Sequence, residues 1–231
     1  MEVWGDLACF TRPEAKVERF SYPVMTPSAA RGVLDAIYCK PVEFGWRVGQ
    51  IDVLNPIRFI TLRRNEVKDR ISIAAIQKAM KGNEPPVIIA DATKEMVGTD
   101  QLGRTQRQTV ALKDVRYRIH AHICARPEFV HRLKGLEEQA ERRMASGKCF
   151  YQPYLGCREF PGFFAFSQDD RAPVDETLDL GYMLYDVFDL DKVVIDEAPP
   201  FISVFQGRLE KGVLKVPAWE SPEVLRPGER R

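Results

Sequence analysis

Residues 114–126 read DVRYRIHAHICAR. In an extended chain successive side chains point to opposite faces. Val115, Tyr117, Ile119, Ala121, Ile123 and Ala125 then form one apolar face. Arg116, Arg118, His120, His122 and Cys124 form the other, with Arg126 just beyond. The pattern predicts a central strand that is core on one side and cationic surface on the other.

The elements around this strand set the fold class. Upstream, Glu2 to Phe10 reads as a first strand, and Thr26-Pro27 supplies a helix N-cap followed by proline at the first helical position. Ala30, Val33, Leu34, Ile37 and Tyr38 recur at helical spacing until Lys40-Pro41 stops the helix. Phe44 to Val48 and Ile51 to Arg64 read as strands, with Pro56 implying a bulge or an edge. Residues 65–111 read as an insertion, with a short helix near Ile71 to Lys81 and a Gly-punctuated loop from Thr93 to Thr109. Downstream, Pro127 opens a long helix with Phe129, Val130, Leu133, Leu136, Ala140 and Met144 on one face, closed by Gly147. A turn over Tyr154 to Gly162 leads into a strand, Phe163 to Gln168.

The order is βαββαβ. It predicts an α+β chain with a ferredoxin-like domain of the RNA-recognition-motif type over residues 1–168. Such a four-stranded sheet carries its helices on one face and leaves the other free to bind. Strands at Leu178 to Phe188, Phe201 to Leu209 and Val213 to Val216, the last two joined by Glu210-Lys211-Gly212, predict a small antiparallel β-rich C-terminal domain over residues 169–231. Ser221 to Arg231 reads as a frayed tail.

Charge sharpens the division. The 231 residues hold 34 Lys+Arg and 33 Asp+Glu, a net of +1. Residues 1–168 carry 26 basic and 19 acidic residues, a net of +7, and residues 169–231 carry 8 and 14, a net of −6. From Arg104 to Arg126 stand Arg104, Arg107, Lys113, Arg116, Arg118 and Arg126 against the single acid Asp114. Asp169 to Glu197 holds ten acids and two bases. A polyanion-binding region beside an acidic docking surface fits this asymmetry. Two solvated faces of unlike charge fit it as well.

Other classes are excluded. Hydrophobic content of 45% with 29% charged residues is globular composition. No apolar run approaches the ~20 residues that span a bilayer. The acids Glu2 and Asp6 and the absence of a basic start argue against a signal peptide. Cys9, Cys39, Cys124, Cys149 and Cys157 are odd in number and show no CxxC spacing. They point to a reducing cytoplasm, with neither a disulfide framework nor a zinc knuckle.

His120 and His122 carry the chemical question. On one strand face they stand ~7 Å apart. They fit a solvated polar surface, a metal site built on HxH, or metal-free acid–base catalysis on RNA. The metal reading is opposed by the flanking arginines and by the lack of further ligands beyond His131 on the next helix. Acid–base catalysis suits an imidazole, which exchanges a proton near neutral pH. One histidine would take the 2′-OH proton and the other would protonate the departing 5′ oxygen. A 2′,3′-cyclic phosphate and a 5′-OH result, without metal or cofactor. Arg116 and Arg118 would hold phosphates.

Three segments carry a resemblance: residues 2–41 (EVWGDLACFTRPEAKVERFSYPVMTPSAARGVLDAIYCKP), 112–123 (LKDVRYRIHAHI) and 154–164 (YLGCREFPGFF). Together they resemble the CRISPR-associated Cas-five group in its subtype I-C (Dvulg) form. The resemblance implies an endoribonuclease that cuts CRISPR repeat transcripts without metal. It also implies retention on the 5′ handle of the guide RNA as a subunit of the type I-C interference complex. The group's active site joins a tyrosine ending the first helix to a lysine and a histidine on the central strand. Tyr38 and His122 match the first and last, and His120 stands at the lysine position. His122 or Tyr38 then activates the 2′-OH, and His120 is the acid or the electrostatic partner. The turn from Gly156 to Gly162 resembles a glycine-rich RNA-binding loop, to which Arg158 adds a phosphate contact. Arg31 would face the same groove, and Arg63 and Arg64 would extend it along a neighbouring strand, although both fit a solvated surface equally well. A non-catalytic guide-RNA cap and a general nucleic-acid binder, duplex DNA included, are the competing readings.

Overall fold

The computed structural model describes every residue except 16, 85–86, 100–101, 167–169, 193–199 and 229–231. In chain order the elements are β1 (Glu2–Ala8), β2 (Arg19–Phe20), α1 (Pro27–Ile37), β3 (Phe44–Val53), β4 (Phe59–Val67), α2 (Ile73–Met80), α3 (Lys94–Val97) and β5 (Arg104–Ala125). A 3-10 segment (Pro127–Arg132), α4 (Leu133–Ala145), β6 (Phe163–Ala165), β7 (Leu178–Asp186), β8 (Ser203–Glu210) and β9 (Val213–Lys215) follow. The structure is a mixed α/β fold dominated by one antiparallel sheet, in the order β6-β1-β5-β3-β9-β8-β7, with β2 and β4 also paired to β5.

Met1–Ile60 and Val110–Arg231 form one compact unit, and Thr61–Thr109 form a second. The boundary expected between residues 168 and 169 lies outside the described residues. In the first unit, β7 to β9 extend the same sheet, because β9 pairs with β3. Leu180, Met183, Phe205, Leu209 and Leu214 share a core with Val3, Val33, Ile37, Tyr117 and Ile119.

Local chemistry explains the elements. The Thr26 hydroxyl accepts from the Ala29 N–H at 3.2 Å, and Pro27 opens α1. Ala30, Val33, Leu34 and Ile37 are buried, and α1 packs against β3 and β7. In β5, Val115, Tyr117, Ile119 and Ile123 are buried, and His120, His122 and Cys124 are exposed. The alternation from Val115 onward follows the pleat.

Several boundaries differ from the expectation. β3 runs unbroken from Phe44 to Val53, with a bulge between Val48 and Gln50, and residues 54–58, Pro56 among them, separate it from β4. β5 begins at Arg104, inside the expected loop. Among its residues 104–108 none is buried, so no apolar alternation marked them as a strand. The helix after Pro127 starts as a 3-10 turn that leaves Val130 exposed. The described part of the expected tail, residues 221–228, is instead tied down: Val224 is buried, and Leu225 bridges Val204 through two backbone bonds. Arg226 lies over the Trp219 ring. A buried tryptophan anchors a segment that its Pro, Ser and charged residues had marked as loose. No helix among the described residues is long and apolar enough to cross a membrane.

Candidate functional site

The exposed face of β5 is compensated from both neighbouring strands. Glu2 of β1 and Asp52 of β3 are each in register with Arg118, one on either side of it. Both carboxylates are buried, at 2% and 4% exposure. Arg116 donates Nε to Glu2 at 2.8 Å and stacks on Trp4, with its guanidinium carbon 5.0 Å from the ring centre. Arg118 donates to Glu2 at 3.0 Å and to the Arg171 carbonyl at 3.0 Å, and lies 3.9 Å from Asp52. A buried carboxylate needs such partners, and the paired guanidinia are thereby fixed in place. Guanidinia on one strand face repel one another, and here that repulsion is answered by protein acids. The Arg118 side chain is only 14% exposed, whereas that of Arg116 keeps 33%.

The histidines differ in support. His120 Nε2 lies 2.8 Å from Asp52 Oδ2, and Gln50 donates to the other Asp52 oxygen at 2.7 Å. With Asp52 as the acceptor in this contact, Nε2 carries the hydrogen and Nδ1 is left to face a ligand. His122 is paired with Arg47 of β3, and among the described residues no hydrogen-bond partner falls to its ring. Arg47 and Arg126 donate to backbone carbonyls of the segment after β7. Arg47 reaches Leu190 at 2.9 Å, and Arg126 reaches Lys192 at 3.0 Å and Asp191 at 3.3 Å. The geometry gives Arg126 a protein partner where a phosphate contact was expected.

Tyr38 lies on the opposite side of the sheet. Its ring packs on Phe44, 5.2 Å between centres, and its carbonyl accepts from Trp46 Nε1 at 2.8 Å. Phe44 and Trp46 are in register with Ala125 and Ile123, on the core face of β5. The structure therefore brings His120 and His122 together and keeps Tyr38 apart from them. Tyr38 lines a cavity of about 580 Å³ with Lys40, His131, Arg132, Arg143 and Phe150. Arg143 stacks on Phe150 at 4.3 Å and donates to the Ile37 carbonyl at 2.7 Å. Cys39 follows Tyr38, and burial together with the Asp35 carboxylate pushes its thiol up to about 11.

Arg31 is likewise withdrawn from the expected groove. It donates to both oxygens of Asp186, at 2.6 and 3.0 Å, and to Asp35 at 2.5 Å. That network joins α1 to the end of β7. The glycine turn is a packing device too. Gly156, at φ +83°, sits against the Cys9 carbonyl where a Cβ would collide, and Gly162 lies against Leu155. Cys9 N–H donates to the Leu155 carbonyl at 3.0 Å, seating the turn on β1. Arg158 beside them is exposed. In the second unit, Arg63 and Arg104 are exposed. Arg64 donates to Thr109 at 3.3 Å, and Arg107 pairs with Glu66 at 3.0 Å.

Sequence reasoning did not single out Glu2, Gln50 or Asp52. The signal was present: Asp52 stands between Ile51 and Val53 in the expected strand, and an acid buried there is kept only when paired. Among the described residues no group of three or more His, Cys, Asp and Glu is arranged to hold a metal ion.

Comparison with known proteins gives four findings. The family model described as "CRISPR-associated protein (Cas_Cas5)" matches residues 1–217. A protein of Mannheimia succiniciproducens named CRISPR pre-crRNA endoribonuclease Cas5d is 40% identical over 235 residues, covering 98% of this chain and 97% of its own length. One of the same name from Thermus thermophilus is 37% identical over 242 residues, covering 98% and 94%. A crystal structure described as that of a CRISPR-associated protein shares the fold, with a TM-score of 0.61 at 22% identity over 97% of this chain and 94% of its own.

Proposed function

Because the chain belongs to the Cas5d family of CRISPR-associated proteins, we propose that it cuts pre-crRNA by 2′-oxygen attack on the open face of its sheet. The observation that carries this placement is the pair His120 and His122, exposed together, with His120 anchored to buried Asp52. A ~7 Å spacing leaves room for one phosphate between the two rings. His122, with no described partner, takes the 2′-OH proton as the oxygen bonds to phosphorus. The P–O5′ bond breaks, and the leaving 5′ oxygen takes the Nδ1 proton of His120. Asp52 holds that ring through Nε2 in both protonation states. The products are a 2′,3′-cyclic phosphate and a 5′-OH, and no metal takes part. Arg116 offers its exposed edge to a neighbouring phosphate, and Arg118 acts through Glu2 and Asp52 to hold the frame.

The order β6-β1-β5-β3, all antiparallel, with α1 and α4 as the two crossover helices, supports a ferredoxin-like reading of this part of the chain. After cutting, the protein stays on the 5′ handle of the guide RNA within a type I-C interference complex. The exposed Arg63, Arg104 and Arg158 are its further RNA contacts.

A second reading moves the cut to the helix-side cavity. It is favoured by Tyr38 lining that cavity among four basic side chains. One assay decides whether and where cutting occurs: the protein is incubated with its repeat RNA in excess EDTA and the ends are analysed. A 2′,3′-cyclic phosphate that disappears in His122→Ala supports the open face, and one that disappears only in Tyr38→Phe transfers the chemistry to the cavity. RNA that remains bound and intact sinks catalysis in favour of a capping role.

A further inference from the structure

The open face does not end at the histidines. In an antiparallel ladder directly paired residues share a face. Gln50, opposite His120, is itself opposite Lys215 of β9, and Asp52 is opposite Val213. Val213 is opposite Glu210 of β8, and along β8 the same face carries Arg208 and Gln206. Gln206 is in turn opposite Tyr182 of β7, whose side chain is 60% exposed. One continuous, mostly polar surface thus runs from His120 across four further strands, and Lys215 stands two strand spacings, ~10 Å, from His120.

This surface is hollowed into a groove of about 660 Å³, lined by Thr177, Gln206, Arg208, Glu210, Lys211, Val213 and Lys215. Three of the seven are cations. The acid among them, Glu210, pairs with Arg208 at 3.3 Å, and the neighbouring Asp179 accepts from Gln206 at 3.2 Å. The turn at one end is rigid. Gly212, at φ +74°, packs on Val174 where a Cβ would collide, and its carbonyl accepts from the Val53 N–H at 2.8 Å. Val53 is the residue after Asp52, so the groove and the His120 support share one backbone frame. The groove lies in the stretch of net negative charge, where composition points away from an anion.

We propose that this groove is a subsite for the single-stranded RNA flanking the cut, with Lys215, Lys211 and Arg208 on successive phosphates and Tyr182 under a base. The inference rests on the open-face reading above. Charge complementarity and continuity with the histidine face favour a polynucleotide over a protein partner. An exposed tyrosine on a sheet face is a stacking platform that tolerates any base.

The test measures repeat-RNA affinity against salt by fluorescence anisotropy in a His122→Ala background, which keeps the RNA intact. The triple variant Arg208→Gln, Lys211→Gln, Lys215→Gln should lose ~10-fold or more in affinity at 0.15 M salt and flatten the log–log salt slope by ~2, since each single-strand phosphate contact adds ~0.7. Tyr182→Ala should lose ~10-fold with the slope unchanged, as expected for stacking rather than charge. Repeat RNA carrying 4-thiouridine should photocrosslink to peptides of β7 or β8. Parent-like affinity and slope in the triple variant, with thermal melts unchanged, would overturn the subsite and leave the groove to a protein partner. Failure of the wild-type protein to cut or bind repeat RNA is a separate outcome, which removes the open-face reading itself.

Discussion

The two sides of the sheet each set cations beside a candidate catalytic group, and they hold them differently. On the open face the arginines answer to carboxylates from the neighbouring strands, Glu2 and Asp52, which are far from them in sequence, and the histidines stand outside that network or at its edge. On the helix face Tyr38 closes an apolar stripe, and the cations around it pair locally, Lys40 and Arg132 both with Glu43. The first arrangement presents proton-exchanging groups on a fixed frame. The second places a buried phenol beside a basic cavity. Catalysis needs groups that meet solvent and substrate while their orientation is set by the fold, and the open face meets both conditions.

The largest expected effect separates the faces directly. His122→Ala should slow repeat cleavage by ~100-fold or more, the usual scale for loss of a general base, with RNA affinity within a few-fold of wild type. Tyr38→Phe should change the rate by less than ~3-fold, because removing a hydroxyl that touches no reacting atom leaves the proton transfers in place. A rate collapse in Tyr38→Phe reverses the assignment of the faces.

Asp52→Asn should lower kcat by ~10-fold with little change in KM, because the amide holds the His120 ring less firmly than a carboxylate does. Nitrogen-15 shifts of His120 check the cause: the wild-type ring should show hydrogen on Nε2, and the variant should show mixed tautomers. Unchanged tautomers beside a lowered kcat would break the orienting role of Asp52.

Glu2→Gln tests the frame rather than the chemistry. It replaces the charge-assisted bonds to Arg116 and Arg118 and should cost ~2 kcal/mol of stability in urea unfolding, the scale of a hydrogen bond to a charged group. An unchanged midpoint would show that the two arginines lean on solvent instead.

The smallest effect compares two thiols. Cys124 is exposed on the open face, and Cys39 lies beside Tyr38 with its thiol pushed up to about 11 by burial and by Asp35. A raised thiol pKa means that thiolate appears only as pH nears that value. Iodoacetamide at pH 8 should therefore label Cys124 first, and Cys39 should gain reactivity steeply only above about pH 10. Equal labelling at pH 8, read by peptide mass, would place Cys39 in open solvent.

Much of the first unit was legible because its elements obey simple periods. The alternation from Val115 to Ala125 and the 3.6-residue spacing from Ala30 to Ile37 follow from burial on one side, and both elements fall where those periods place them. The start of β5 was hidden for the opposite reason: residues 104–108 bury no apolar face, and their pairing with β4 exists only once the chain has folded back. Arg31 and Arg126 read as groove cations because Asp186 and the carbonyls at 191 and 192 lie 155, 65 and 66 residues away in sequence, although the i,i+4 partner Asp35 of Arg31 was in plain view. Glycine 156 read as an RNA contact, yet its empty Cβ position is taken up by Cys9.

The sequence by itself determined that one strand would carry core on one side and arginines and histidines on the other, since a pleat alternates regardless of what surrounds it. It also determined membership of a family, through segments at residues 2–41, 112–123 and 154–164. Only the tertiary structure decided which charges are spent inside the protein and which face outward. That choice depends on register between strands far apart in sequence, which brings Glu2 and Asp52 to Arg118, Asp52 to His120, and Lys215 onto the same surface.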